Sequence, residues 1–176
     1  MTTGVLALQG DFAAHIAMMP GAVEVRTARE IEPLEALVIP GGESTTLLNL
    51  LEGSGIEEAV RKLVGRGGAI FGTCAGAILL AKRVSHPDQP SWGLIDIDVE
   101  RNAYGRQVDS FEGALDTGYP AVFIRAPRIR RAGPGVEVLA RWKGEPVFVR
   151  QGRVFAATFH PELTGDRRIH ARVTSP

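Results

Sequence analysis

The first half of the chain alternates short apolar runs with segments of helical periodicity. Apolar runs that are typical of buried strands cover residues 4–9, 23–25, 36–39 and 69–71. Between them, apolar residues recur every three or four positions, which predicts helices starting at Phe12, at Ser44 and at Ile56, and a fourth over residues 77–82. Strands that alternate with helices predict βαβ units and a mostly parallel sheet covered on both faces.

Capping residues mark where the predicted helices begin and end. Asp11 can cap the first helix, and the pair Pro20-Gly21 stops it. Gly53 and Gly65 end the next two helices.

The second half has a different pattern, in which helical periodicity is nearly absent. After a proline-containing loop at residues 86–92, short apolar runs occur at residues 95–99, 122–124, 136–139, 147–149 and 154–158. We interpret these runs as strands that complete the same sheet, some of them antiparallel, within one domain over residues 1–176.

Composition narrows the range of functions. The chain has 176 residues with 20 Lys+Arg and 20 Asp+Glu, so its formal net charge is zero. This balance gives no electrostatic footprint for nucleic acid or an anionic membrane. A local basic cluster (Arg125, Arg128, Arg130 and Arg131) is either a docking face or a solvated loop.

Targeting and redox signals point to the cytoplasm. No apolar run approaches the roughly 18 residues that a membrane span needs, and the N-terminus lacks the pattern of a signal peptide. The single cysteine, Cys74, excludes an intramolecular disulfide and fits a reducing compartment. Counting alone leaves Cys74 as either a small buried residue or a nucleophile.

The strongest chemical signal lies between Phe71 and Gly76. This segment has the G-x-nucleophile-x-G form of a nucleophile elbow, with Cys74 in the position of the serine. The dipole of the helix that follows stabilises a thiolate. The backbone N–H of Ala75 points to where an oxyanion would form. A strand before the turn and a helix after it favour the nucleophile over a merely structural turn.

A cysteine acyl-transfer enzyme needs a base, and the four histidines differ in their positions. His160 directly follows the predicted strand 154–158, where sites gather in α/β sheets. Glu162, two residues later, can accept a hydrogen bond from the second imidazole nitrogen and orient the ring. His15, His86 and His170 have no comparable setting: they fall on the first helix, in a loop and in a charged segment.

A glycine pair follows the strand at residues 36–39. Gly41 and Gly42 let the backbone approach a ligand and turn an N–H toward it, which suits a second oxyanion donor. Glu43 is then available for the ammonium group of a substrate. The alternative is a turn capped by Ser44 or Thr45. A phosphate loop is unsupported because the Gly-Lys-Ser/Thr element is missing.

Together, residues 72–76 and 160–162 resemble the class I, triad-type glutamine amidotransferases. Residues 4–11, 40–46, 100–111, 123–127 and 159–164 are similar to the glutaminase subunits of pyridoxal 5′-phosphate synthase. The resemblance runs from Gly4 to about Arg168. Residues 101–111 carry the most specific part, because other amidotransferases lack it.

The resemblance implies a flavodoxin-like α/β/α sandwich, mostly parallel with some antiparallel strands in the C-terminal half. It implies Cys74 as nucleophile, His160 as base and Glu162 as the residue that orients the base. Further implied roles are an oxyanion hole from Gly42 and Ala75, a partner interface at Gln9, and glutamine contacts at Gly41, Gly42, Glu43, Arg101, Ile124 and Arg125. Ammonia would pass to a (β/α)8-barrel synthase subunit, and neither a cofactor nor a metal is expected.

Two alternatives remain at this point. One is a class I amidotransferase that supplies another acceptor, which leaves residues 101–111 unexplained. The other is a non-catalytic protein with Cys74 as a sensor, which would have no need of His160 and Glu162. A hydrolase or peptidase on the same fold is more remote.

Overall fold

The computed structural model describes residues 1–103 and 110–175. Within these ranges the strands are β1 (Thr3–Leu6), β2 (Val23–Val25), β3 (Ala36–Ile39), β4 (Ala69–Thr73), β5 (Ala81–Ser85), β6 (Ile95–Glu100), β7 (Ser110–Ala114), β8 (Pro120–Ile124), β9 (Arg128–Ala132), β10 (Glu137–Trp142), β11 (Glu145–Gln151) and β12 (Val154–Ala157). The helices are α1 (Phe12–Met18), α2 (Ala28–Ile31), α3 (Ser44–Leu51), α4 (Ile56–Gly65), α5 (Ala75–Leu80) and α6 (Arg168–Thr174). A 3₁₀ turn covers Pro161–Leu163.

A mixed sheet of seven described strands forms the centre of the molecule. Its order is β10-β11-β12-β4-β3-β1-β2. The strands from β12 to β2 run parallel, whereas β10, β11 and β12 pair antiparallel. The predicted α/β class, with a parallel sheet and antiparallel strands from the C-terminal half, is therefore confirmed.

Alternation along the buried strands separates two apolar layers. In β3, Leu37 and Ile39 belong to one hydrophobic cluster, which also contains Ile56 and Leu63 of α4. Val38 belongs to a second cluster, which includes residues of α1 and α6. Because successive strand residues point to opposite faces, a strand with every residue buried needs cover on both sides. The helices supply that cover and produce the three-layer sandwich.

The second half departs from the sequence prediction. Among the described strands of this half, β10, β11 and β12 join the central sheet, β5, β6 and β9 form a separate three-stranded sheet, and β7 and β8 form a hairpin. The prediction that all of these strands complete one sheet was wrong. Strand β6 alternates buried and partly exposed residues, and that pattern marks a half-buried strand without saying which sheet it joins.

Two helices and one boundary were also mispredicted. The short helices α2 and α6 were missed, although Ile169 and Val173 of α6 are buried at helical spacing. The helix predicted for residues 77–82 is α5, which already starts at Ala75, and residue 81 begins β5. The capping of α1 by Asp11 is confirmed by a 3.2 Å bond from the Ala14 N–H to Asp11 Oδ1.

The basic cluster is part of a strand and its ion pairs. Arg131 lies 2.6 Å from Asp96 and 2.9 Å from Asp98, and Arg130 pairs with Glu100. Hydrogen bonds from Arg131 and Lys82 lower the pKa of Asp96 to about 2. The solvated-loop interpretation was therefore wrong for β9. Among residues 1–103 and 110–175, no helix has the length and apolar character to cross a membrane.

Close packing at the β4–α5 turn predicts that replacing a glycine by alanine there is more destabilising than the same replacement at an open position. A Cβ on Gly76 would lie 2.1 Å from the Ile39 carbonyl oxygen, whereas a Cβ on Gly65 would meet no atom within 4 Å. We expect Gly76→Ala to lower the free energy of unfolding by about 1–3 kcal/mol through overpacking. Gly65→Ala, at the exposed end of α4, should leave it unchanged or raise it by up to about 1 kcal/mol. Urea titrations of both variants measure this, and equal effects would contradict the packing argument.

Candidate active site

Three neighbouring parallel strands deliver the predicted site residues to one edge of the central sheet. The order β12-β4-β3 places the carboxyl ends of these strands side by side. Cys74 follows β4, His160 follows β12 after two residues, and the Gly41-Gly42 pair follows β3. Residues more than 100 positions apart in sequence therefore meet, as expected where ligands bind in α/β sheets.

Cys74 occupies a strained turn between β4 and α5. Its φ and ψ are 48° and −105°, a conformation that a non-glycine residue rarely adopts. The Cys74 N–H donates to the Ala157 carbonyl at 2.8 Å, and the Cys74 carbonyl accepts from Ile78 at 3.1 Å. Such strain costs about 1–3 kcal/mol and persists only where surrounding contacts fix it. The turn therefore has the backbone geometry expected of a nucleophile elbow, and the nucleophilic role of Cys74 stays a prediction.

His160 and Glu162 form a buried pair next to the elbow. His160 Nδ1 lies 2.7 Å from Glu162 Oε1, and the Glu162 side chain is 1% exposed. The His160 backbone N–H donates to Val122 of β8 at 2.8 Å, so the hairpin also holds the residue in place. Pro161 opens the 3₁₀ turn that brings Glu162 back toward the imidazole ring.

The electrostatics of this pair favour a charged imidazole. Burial by itself would lower the pKa of His160, but hydrogen bonds with Cys74 and Glu162 outweigh it and raise that pKa to about 10. An imidazolium held between a thiol and a carboxylate stabilises the thiolate. The three side chains therefore have the arrangement that nucleophilic catalysis by cysteine requires.

The glycine loop after β3 is held by Gln9. The Gln9 side-chain amide donates to the Gly41 carbonyl at 3.4 Å and accepts from the Glu43 N–H at 3.1 Å. In a trans peptide the carbonyl and the following N–H point in opposite directions, so the Gly42 N–H faces away from Gln9. Gly42 has a φ of 142°, and a Cβ there would lie 2.1 Å from Gln9 Oε1.

Glu43 has a structural role that the sequence did not reveal. Its carboxylate caps α3 by accepting from the N–H groups of Thr45 and Thr46 at 3.1 and 2.7 Å. The capping alternative had assigned this task to Ser44 or Thr45. Burial would raise the pKa of Glu43, but these hydrogen bonds lower it, so the carboxylate stays ionised. Arg101 Nη2 lies 3.5 Å from Glu43 Oε1.

A cleft of about 350 Å³ opens onto Cys74 and His160. The sequence-predicted residues that line it are Gly42, Glu43, Cys74, Ile124, Arg101, Arg125 and His160. The other predicted site residues, Gln9, Gly41, Ala75 and Glu162, do not line this cleft. The Ile124 carbonyl accepts from the Cys74 thiol at 3.9 Å. The next residue, Arg125, has a positive φ of 44°.

Sequence reasoning missed four residues of the cleft wall: Ser44, Ile78, Asn102 and Pro127. Ser44, Asn102 and Pro127 fall within the segments that carry the family resemblance, which was the available signal. Tyr104 to Asp109, the centre of the most specific segment, lie outside the described residues. Within the described part of the chain, no group of three or more His, Cys, Asp or Glu side chains is arranged to hold a metal ion.

Two further histidines lie buried beneath the site. His15 of α1 is 0% exposed and His170 of α6 is 1% exposed, and His15 Nδ1 lies 2.9 Å from His170 Nε2. Burial lowers the pKa of His170 to about 4. Burial first, and then the nearby His170 and His160, lower the pKa of His15. Both rings are therefore neutral at pH 7.

Comparison with known proteins identifies a family. The SNO glutamine amidotransferase family model matches residues 5–174. The chain is 55% identical over 179 residues to the pyridoxal 5′-phosphate synthase subunit PdxT of Koribacter versatilis, covering 97% of this chain and 92% of that relative. It is 54% identical over 177 residues to a subunit of the same name from Thermus thermophilus, covering 95% of this chain and 93% of that relative.

Solved structures agree with these sequence matches. A crystal structure of a glutamine amidotransferase is 53% identical in sequence and superposes with a TM-score of 0.92. The match covers 98% of this chain and 97% of that chain. The structure of PurLQS from Thermotoga maritima has a TM-score of 0.68 at 17% identity, with 92% of this chain and 87% of that chain covered. At that identity the second likeness concerns the fold alone.

The buried histidines predict that stability falls as the pH falls from 6.5 to 4.5. The unfolded chain protonates histidine near pH 6.5, whereas folded His170 does so only near pH 4, so acid favours unfolding. Each such histidine contributes a slope of about 1 kcal/mol per pH unit. His160 affects stability in a different pH range. Its raised pKa contributes fully to the free energy of unfolding below pH 6.5, and this contribution is lost as the pH rises toward 10. Urea unfolding at several pH values measures the slope.

The matched control for this pH dependence is His170→Leu, which removes one titrating group. Its slope between pH 6.5 and 4.5 should be shallower by about the contribution of one histidine. A flat wild-type profile, or an unchanged slope in the variant, would contradict the assignment.

Proposed function

The chain belongs to the SNO glutamine amidotransferase family, and from this membership we propose that it is the glutaminase subunit of a pyridoxal 5′-phosphate synthase. The proposed reaction is hydrolysis of L-glutamine to L-glutamate and ammonia, by one domain over residues 1–176. The observation that supports it most directly is the strained backbone of Cys74 beside His160 and Glu162, which are joined to each other by a 2.7 Å hydrogen bond. The relatives that share its sequence over nearly its whole length are named as subunits of that synthase.

In the proposed mechanism the Cys74 thiolate attacks the amide carbon of glutamine. The tetrahedral oxyanion accepts hydrogen bonds from the backbone N–H groups of Gly42 and Ala75. As the carbon–nitrogen bond breaks, the His160 imidazolium gives its proton to the leaving group, which departs as ammonia. His160, now neutral, takes a proton from water, which attacks the thioester and releases glutamate.

Glu162 takes no proton in this scheme. It accepts the hydrogen bond from His160 Nδ1–H, which fixes the tautomer and directs Nε2 to the reacting atoms. Because Glu162 is buried, its charge acts through a low-dielectric surrounding and stabilises the imidazolium strongly.

The cleft offers complementary charges for the amino-acid end of glutamine. Arg101, whose side chain is 14% exposed, suits the α-carboxylate. The Glu43 carboxylate and the Ile124 carbonyl suit the α-ammonium. A neutral amide then extends toward Cys74. Arg125 and Gly41 complete the proposed contacts.

The proposed partner is the (β/α)8-barrel synthase subunit in a heteromeric complex, which would receive the ammonia. Gln9 is the proposed contact residue near the oxyanion hole, since it holds the peptide that carries the Gly42 N–H. We further propose a cytoplasmic location, where reducing conditions keep the lone thiol of Cys74 available.

The decisive test is glutamate release from glutamine by the purified chain, with and without a pyridoxal 5′-phosphate synthase subunit. We expect release to depend on the synthase and to fall by at least about 10³-fold in Cys74→Ala, because the nucleophile is removed. Glu162→Gln should also reduce the rate severely, because the amide can present the wrong group to His160.

Glu58→Gln is the matched control for Glu162→Gln, because it makes the same change in an exposed pair with Lys62. It should release glutamate at the wild-type rate. Equal release with and without the synthase would keep the glutaminase and reject the pairing. No release by a complex that is shown to be assembled would reject the enzyme and favour the sensor.

A further inference from the structure

A buried network of polar side chains extends from Glu162 away from the cleft. His15 Nε2 lies 3.3 Å from Glu162 Oε2 and 3.1 Å from Thr73 Oγ1. His15 Nδ1 lies 2.9 Å from His170 Nε2. Each of these residues is at most 6% exposed. This polar network therefore connects α1, α6, the end of β4 and the 3₁₀ turn at the back of the proposed triad.

The polar network lies in an apolar setting, so each polar atom in it needs a partner. The rings of His15 and His170 stand nearly perpendicular to the ring of Phe71, with centroids 6.5 and 6.0 Å away. In such an apolar setting an unpaired polar atom loses its hydration without replacement. Glu162 Oε1 is paired with His160, whereas Oε2 has no hydrogen-bond partner among the described residues. The His15 ring nitrogen at 3.3 Å is the polar group that faces it.

The positions of the protons follow from the contacts. His15 is neutral and carries one N–H. If that hydrogen were on Nδ1, the Nε2 lone pair would face the Glu162 carboxylate at 3.3 Å, and the two would repel. The hydrogen therefore belongs on Nε2, where it forms the 3.1 Å hydrogen bond with Thr73 Oγ1 and places the N–H dipole 3.3 Å from Glu162 Oε2.

His170 completes the assignment. With its hydrogen on Nε2, it donates to His15 Nδ1 across 2.9 Å. The other nitrogen, His170 Nδ1, then carries a lone pair, and it has no hydrogen-bond partner among residues 1–103 and 110–175. One set of tautomers thus satisfies both short contacts and leaves no buried N–H of the two rings without an acceptor.

We propose that His15 is a positioning residue for the triad: its Nε2–H stabilises the Glu162 carboxylate on the side opposite His160. With a hydrogen bond from His160 at Oε1 and the His15 N–H dipole beside Oε2, the carboxylate is held so that Oε1 stays directed at His160 Nδ1. His15 touches no reacting atom. Its second contact is with Thr73, the residue before Cys74, so one imidazole spans the supports of the nucleophile and of the base.

This inference rests on the proposed glutaminase, so its test needs one measurement that is independent of turnover. Cys74 is the only cysteine in the chain, so its alkylation by iodoacetamide reports directly on the thiolate held by His160. We would measure that rate in the full chain at pH 7. We would also measure kcat and KM for glutamine in the complex with the synthase subunit.

Three variants separate positioning from packing. His15→Leu removes the donor, and we expect kcat and the alkylation rate to fall about tenfold, with KM within about threefold. His15→Gln keeps an N–H donor, and both rates should recover to within about threefold of wild type. Met18→Ala disturbs the packing of α1 three residues further on, where Met18 is 7% exposed, without touching the donor. It should keep both rates at the wild-type level.

The outcomes are distinct. Wild-type rates in a folded His15→Leu, or equal losses in Met18→Ala and His15→Leu, would overturn the proposal. So would a failure of His15→Gln to recover. Should His15→Leu not fold, His15→Met replaces it: this unbranched apolar side chain also lacks an N–H donor, so both rates should fall about tenfold, and unchanged rates would overturn the proposal. A wild-type complex that does not hydrolyse glutamine would reject the proposed function, while the alkylation rates would still decide the role of His15.

Discussion

The whole site depends on the passage from β4 to α5 through the single residue Cys74. A φ of 48° at this position is stable only because the strand and the helix approach each other closely on both sides. A Cβ on Gly72 would lie 2.5 Å from the backbone of Gly76, and one on Gly76 would lie 2.1 Å from Ile39 of β3. The bond from Cys74 to Ala157 ties the same turn to β12. The three strands that carry the site are thus fixed relative to one another by backbone contacts around one cysteine.

Charge is arranged around this turn in an order that burial imposes. A carboxylate as buried as Glu162 requires partners, and it has an imidazole on each side, at 2.7 and 3.3 Å. One of these, His160, has a raised pKa because it also contacts Cys74, whereas His15 and His170 stay neutral. The positive charge is therefore located next to the thiol, where the proposed reaction needs it. Family membership and this arrangement of charge both support the proposed chemistry.

Local patterns in the sequence were sufficient for the parts of the site that depend on one segment. The elbow at Cys74 was predictable because the strand, the glycines and the helix are contiguous, and His160 and Glu162 because they follow a strand at close spacing. The capping of α3 by Glu43 and the contact between His15 and His170, which are 155 positions apart, leave no local pattern. Likewise, the alternation in β6 could not indicate that this strand joins β5 and β9 in a separate sheet.

The central claim is that Cys74 attacks glutamine within the cleft, and covalent labelling tests it most directly. The assembled complex would be treated with a glutamine analogue that carries a chloroketone in place of the side-chain amide, followed by intact-mass measurement and peptide mapping. The account predicts a single adduct on Cys74, formed more slowly when glutamine is present in excess. An adduct on other residues, or labelling of Cys74 that saturating glutamine does not slow, would contradict it.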